Sequence, residues 1–265
     1  MTSIPPAVPI LLYHGVAEDT EGPSAPWIID PHAFADHLDA LAAVGARPVT
    51  MHGLVDALDS GEPPAPGTVV LTFDDGFADF ASGALPALVE RGWPATLYVT
   101  TGAIGSTTTW LPENRPMLSW SALDEIVAEG VEIGAHTMHH PQLDLLPPER
   151  ARSEIVGSRS ELQDRLGLPV ETFAYPHGYH NRRVRGLVVE TGFRSCCAVK
   201  HRFSSALDDR FALSRVMVRK GDAPHLVAQW ARGEGLPVSS GATTPIPSLA
   251  WRQVRRVRAR LGSAA

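Results

Sequence analysis

Short β-type runs alternate with amphipathic helical stretches along most of this 265-residue chain, and that alternation limits its fold more than any other feature. The expected strands are Val8–Tyr13, Arg47–Thr50, Thr68–Phe73, Thr96–Thr100, Val131–Ala135, Thr172–Tyr175, Phe193–Val199 and Leu213–Val218. The expected helices are Pro31–Val44, Met51–Asp59, Ala78–Arg91, Ser119–Glu129, Pro147–Leu166, Arg182–Glu190 and Ala223–Arg232. Gly45, Gly92, Gly130, Gly167 and Gly192 follow helical runs where a C-terminal glycine belongs, and Ser119 is placed to cap a helix at its start. Such a chain is α/β with a mostly parallel sheet, either an open doubly wound sheet or a closed or nearly closed barrel. No GxGxxG follows the first strand, which weighs against a dinucleotide-binding open sheet.

A hydrophobic content of 44% is enough for a large core, and a net charge of −6 argues against nucleic acid as a partner. Cys196 and Cys197 are neighbours, a spacing that strains a disulfide and fits no zinc pair, so they read as thiols on a buried strand. Met1 to Ile10 lacks the basic start and apolar run of a signal peptide, and no window approaches the roughly 18 apolar residues of a membrane span. A cytoplasmic location is the expectation.

Four polar motifs stand immediately after expected strands. Thr68–Phe73 runs into Asp74-Asp75-Gly76. Adjacent acids at a strand end can diverge, one binding a metal and the other remaining free as a base, although Asp-Asp-Gly also makes an ordinary turn. Val131–Ala135 runs into His136-Thr137-Met138-His139-His140, where His136 and His140 at i, i+4 can share one face of a helical turn. His139 falls outside that pairing. Tyr13-His14-Gly15 ends the first strand, and Tyr175-Pro176-His177-Gly178 ends the sixth; each is also compatible with a plain turn. In a parallel sheet the C-terminal strand ends share one face, so all four motifs converge there. One Asp and two His with open positions suit a catalytic metal, with zinc, iron, nickel and cobalt compatible with imidazole.

These motifs resemble those of the polysaccharide deacetylases, the NodB-homology group of carbohydrate esterases. Thr72-Phe73-Asp74-Asp75-Gly76 reads as that family's first motif and His136-Thr137-Met138-His139-His140 as its second, over a resemblance running from about Pro9 to Val218. The resemblance implies a distorted (β/α)7-type barrel with the metal site at the C-terminal strand ends. It assigns Asp74 as the base and Asp75, His136 and His140 as ligands of one divalent ion, zinc first. Two departures stand out: Phe173-Ala174-Tyr175-Pro176-His177-Gly178 lacks the usual third-motif arginine, and no late Leu-x-His follows. Both match the permuted subgroup that resembles poly-N-acetylglucosamine deacetylases, in which an N-terminal Tyr-His supplies the acid, here His14. Arg215 is the expected spatial replacement for the missing arginine.

The implied reaction is hydrolysis of an N-acetyl or N-formyl group on an amino sugar in a polysaccharide or glycan precursor. Tyr175, Pro176 and Arg215 are the expected substrate contacts, with the Tyr175 backbone N–H aiding the oxyanion and Tyr175 and Trp110 available to stack on a sugar. The rivals are a small-molecule amidase, a non-catalytic carbohydrate-binding barrel, and a two-His-one-carboxylate iron oxygenase, in which Asp74 has no role. The expected organisation is a barrel over 1–232, a linker over 233–249 and a basic helix over 250–265. In that helix Trp251, Val254, Val257 and Leu261 share one face, and Arg252, Arg255, Arg256, Arg258 and Arg260 dominate the rest. A basic amphipathic helix suggests peripheral membrane contact, or else a stripe packed on the barrel with its arginines in solvent.

Overall fold

The computed structural model describes residues 6–18, 21–61, 63–239 and 255. The described strands are β1 (Ile10–Tyr13), β2 (Gly15–Val16), β3 (Ile28–Ile29), β4 (Arg47–Val49), β5 (Thr68–Phe73), β6 (Thr96–Val99), β7 (Glu132–Ala135), β8 (Thr172–Ala174), β9 (Ser195–Cys197) and β10 (Val216–Met217). The helices between and after them are α1 (Pro31–Ala43), α2 (Met51–Asp59), α3 (Leu85–Glu90), α4 (Trp120–Ala128), α5 (Pro148–Leu166), α6 (Arg182–Thr191) and α7 (Pro224–Ala231).

Seven strands lie side by side in the order β10-β1-β5-β6-β7-β8-β9, with β4 added beside the first half of β5. Their pairings are all parallel. A parallel bridge from Cys197 to Leu213 joins β9 to the segment entering β10, so the path turns back on itself. This is the distorted seven-strand barrel that the β/α alternation permitted and the motif resemblance implied.

Strand periodicity decides what faces the lumen. Leu11, Tyr13, Val69, Leu71, Phe73, Leu97, Val99, Ile133, Phe173 and Tyr175 face outward, into the layer packed with Phe34, Leu38 and Leu41 of α1 and their counterparts on the other helices. Ile10, Val70, Tyr98, Ala174 and Cys197 face inward. Gly134 makes room for this lumen: a Cβ there would stand 2.4 Å from the Tyr98 ring. Both cysteines are free and buried, as expected of strand thiols.

The expected helix Ala78–Arg91 instead opens with a wide turn over Phe80–Ala84 before α3 begins. Pro86 explains the change. It offers no N–H, and its ring crowds the carbonyl four residues back, which a widened turn relieves. Ser119 caps α4 as expected, accepting from Ala122 N at 3.1 Å.

The expected linker starts as packed chain. Phe203 N donates to Pro237 O and Ser239 N to Phe203 O, and Ser239 is buried. Residues 240–249 lie outside the described residues, as does the expected tail helix Trp251–Leu261 apart from Arg255. Among the described residues no helix is long and apolar enough to cross a membrane.

Candidate active site

The strand parity that lines the lumen carries past the strand ends. In β1 the inward positions are Ile10 and Leu12, which places His14 next on that side. In β5 they are Val70 and Thr72, then Asp74; in β7 they are Glu132 and Gly134, then His136. Three of the sequence-predicted residues thus reach one mouth of the barrel through a single geometric rule.

Asp74 is almost fully buried and is gripped from inside the lumen by Arg215. Arg215 Nη1 and Nη2 each donate to a different Asp74 oxygen at 2.6 Å. The same Nη1 also donates to Thr72 Oγ1 at 3.2 Å, and Nε to Ala198 O at 3.2 Å. Arg215 is 0% exposed, and its guanidinium lies over the Tyr98 ring, 5.6 Å from the centroid. Burial pushes the Asp74 carboxyl up, but Arg215, His136 and His14 outweigh burial and hold it below its ordinary value.

Asp75 takes the alternate direction. Its φ is +77°, and Gly76 beside it is at +86°. Asp75 Oδ1 lies 3.4 Å from His136 Nε2 and 3.2 Å from His140 Nε2, and the ligand-type atoms of the three residues fall within 4.8 Å of one another. His136 Nδ1 donates to Ala174 O at 2.8 Å, which fixes the ring and aims Nε2 at Asp75. Burial raises the Asp75 carboxyl, yet His140 and His136 hold it well below the carboxylate range.

The turn that delivers His140 is not helical. Thr137 has φ +69° and His140 φ +56°, and His140 N donates to Thr137 Oγ1 at 3.0 Å. A left-handed loop, rather than a helix face, brings the two histidines together. Of the six non-glycine residues with positive φ among the described residues, four are Asp75, Thr137, His140 and His177. Backbone strain of this kind costs about 1–3 kcal/mol per residue and persists where surrounding structure enforces it. Part of the enforcement is Glu154 on α5, which carries no signal in the sequence. Its Oε2 accepts from Met138 N at 3.0 Å and His139 N at 2.9 Å, and its Oε1 lies 2.9 Å from His139 Nδ1. The exposed His139 ring is thus a brace for the loop.

His14 lies close enough for the charges of Asp75 and Asp74 to act on it. Burial, the larger influence, lowers its pKa, and its Nδ1 is buried without a hydrogen-bond partner. The Trp27 ring is 6.2 Å away. Half-buried Trp110 stacks on His140 at 4.7 Å, so one face of that indole already supports the histidine.

Three expected substrate contacts are corrected. Tyr175 occupies an outward position, is 0% exposed, donates from its hydroxyl to Phe211 O at 2.9 Å and stacks on His180. It cannot meet a sugar, and its N–H is spent on Cys197 O at 3.0 Å, so it cannot serve an oxyanion. Pro176 is buried and shapes the turn. Arg215 stands behind Asp74 rather than against any ligand, supplied from the approach to β10.

The donor set fits a divalent ion. Asp75 Oδ1 is a buried oxygen without a hydrogen-bond donor, facing two imidazole Nε2 atoms, a requirement that a cation meets directly.

The family model described as polysaccharide deacetylase matches residues 61–196. YxkH of Bacillus subtilis is 26% identical over 220 residues, covering 83% of this chain and 74% of that protein. Among solved structures, the Streptococcus pyogenes deacetylase PplD in complex with acetate superposes with a TM-score of 0.77 at 26% identity, covering 88% of this chain and all of that one. IcaB from Ammonifex degensii gives 0.72 at 27% identity, covering 86% and 97%. A family match spanning half the chain, together with this distorted parallel barrel and its strand-end acids and histidines, establishes that the chain belongs to the polysaccharide deacetylase family.

Proposed function

We propose that this protein is a metal-dependent hydrolase that removes N-acetyl groups from an amino sugar in a glycan or glycan precursor. The observation that carries the reading is the buried, donor-less Asp75 Oδ1 between His136 Nε2 and His140 Nε2, one residue from a carboxylate held ionised by Arg215. In this reading Asp75, His136 and His140 hold one divalent ion, with zinc first and iron, nickel and cobalt the alternatives. A divalent ion there supplies Lewis acidity toward the acetyl carbonyl and acidifies attacking water.

The chain's own residues supply the proton movements. Asp74 is the base: Arg215 occupies one lone pair on each of its oxygens, and the others remain to accept a proton from water. His14, at the mouth on the end of β1, protonates the leaving amine, which departs poorly otherwise. The low pKa that burial gives His14 makes it a strong proton donor once charged. The substrate class is supported by relatives named for amino-sugar polymers, such as the chitooligosaccharide deacetylase of a Bradyrhizobium strain, 34% identical over 97 residues that cover 36% of this chain and 39% of that protein.

The test is to load the protein separately with zinc, cobalt, nickel and iron and incubate it with N-acetylglucosamine oligomers and with lipid- or nucleotide-linked N-acetyl sugars. Release of acetate is the expected result, and it should proceed without oxygen. Metal binding with sugar retention and no acetate from any substrate would replace this reading with a non-catalytic carbohydrate-binding barrel.

A further inference from the structure

The sequence presents Arg255 as one of five arginines on the expected basic helix, facing a membrane or solvent. The structure contradicts that for this residue. Arg255, in helical backbone, is 7% exposed. Its Nη1 donates to Asp144 Oδ1 at 3.0 Å and to Gln142 Oε1 at 2.8 Å, and its Nη2 to Asp144 Oδ2 at 2.9 Å. The Asp144 side chain is 0% exposed. The guanidinium also stacks on the Tyr179 ring, 3.6 Å from the centroid.

Both of these contacts lead to His140. Gln142 and Asp144 belong to the chain that leaves His140 through Pro141, and Tyr179 belongs to the loop after β8. From Tyr179 a run of ring contacts continues inward. The Tyr179 and His177 rings are stacked at 5.7 Å, His177 meets His140 edge to face at 4.6 Å, and His140 is covered by Trp110 at 4.7 Å. Arg255 therefore closes a continuous stack of Arg255, Tyr179, His177, His140 and Trp110, and holds the loop that exits from His140.

We propose that Arg255 is a positioning residue for His140 and so part of the metal site's support. The inference rests on the assignment of His140 as a metal ligand. The physical case is that His140 has few other supports for its ring: its backbone sits in the left-handed region at φ +56°, and its Nδ1 is buried without a hydrogen-bond partner. His136 is oriented by a bond to Ala174 O, whereas the orientation of His140 depends on the rings packed around it. Arg255 suits that task because a planar guanidinium can fork onto a carboxylate and lie on an aromatic face at once, which an ammonium cannot.

The test uses the full-length chain and three variants: Arg255→Lys, Arg255→Met, and the double variant Arg255→Met with Asp144→Asn. The double variant removes both charges of the pair, so it stays informative if Arg255→Met alone fails to fold. Zinc affinity is read by competition with a chromophoric chelator, and thermal unfolding is read on the metal-free protein. Loss of an outer support costs about 10–100-fold in metal affinity. The double variant is expected to fold, with zinc affinity reduced about tenfold or more. Arg255→Lys should be intermediate, because it keeps the charge but not the fork. A double variant that melts lower yet binds zinc as tightly as the parent would overturn the proposal and make Arg255 a structural bolt only. Failure of the parent itself to bind zinc would instead defeat the metal-site reading, a separate and recognisable outcome.

Discussion

Once one partner of the Asp74–Arg215 pair is gone, removing the other should cost less than removing the first. Both side chains are almost wholly out of solvent, at 4% and 0%, so water screens little of their attraction. Arg215→Met leaves the Asp74 carboxylate in the lumen without its guanidinium partner, and losing one partner of a buried pair costs about 3–5 kcal/mol. In a protein of this size each kcal/mol moves the melting temperature by about 2–4 °C, so Arg215→Met should melt roughly 6–20 °C lower than the parent. Asp74→Asn strands the guanidinium instead and should cost a comparable amount. The double variant, Asp74→Asn with Arg215→Met, restores neutrality, and its loss should fall about 2–3 kcal/mol short of the sum of the singles. Urea unfolding of the four metal-free proteins measures the cycle. Activity should behave as a unit as well: if the arginine acts through Asp74, the double variant is no slower than Asp74→Asn alone, which should lose ~10²–10⁴-fold. Stability losses that add to within about 0.5 kcal/mol would refute the reasoning, because independent residues behave that way.

Three further outcomes follow from the site and the core. His136→Ala or His140→Ala should bring bound metal close to zero while the barrel stays folded, and elemental analysis with circular dichroism decides it; full metal occupancy in either variant removes that residue from the ligand set. His14→Ala should retain the metal, lower kcat and erase one limb of the pH–rate profile; a near-parental rate would return His14 to a turn residue and direct attention to His177. Stability should fall on acidification through the histidine range because of His37, which burial keeps below its ordinary pKa. It is held neutral, with Nε2 donating to Asp222 O at 2.8 Å and Nδ1 accepting from Tyr13 OH at 3.4 Å. The contribution is fully present above the unfolded value of about 6.5 and is lost as pH falls toward the lower folded value, since the folded state resists the proton. In urea titrations from pH 8 to 5, His37→Gln should flatten that acid slope.

The sequence alone determined the elements and the chemistry at their ends. Hydrophobic period and turn residues are local, so the bounds expected for Thr68–Phe73 and Met51–Asp59 are those of β5 and α2. Parity then carries the pattern past the strand ends: with Val70 and Gly134 facing the lumen, counting by twos reaches Asp74 and His136. The same count from inward-facing Ala174 turns Tyr175 outward. Only tertiary structure decided what depends on which remote group stands next to which. Arg215 meets Asp74 across 141 positions of chain, and Arg255 meets Asp144 across 111, and neither pairing leaves a periodic trace. Glu154 reads as one more charge on a polar helix until α5 lies against the 136–140 loop. The left-handed turns at Thr137 and His140 run against local propensity and exist because these remote contacts hold them, so no local pattern could have announced them.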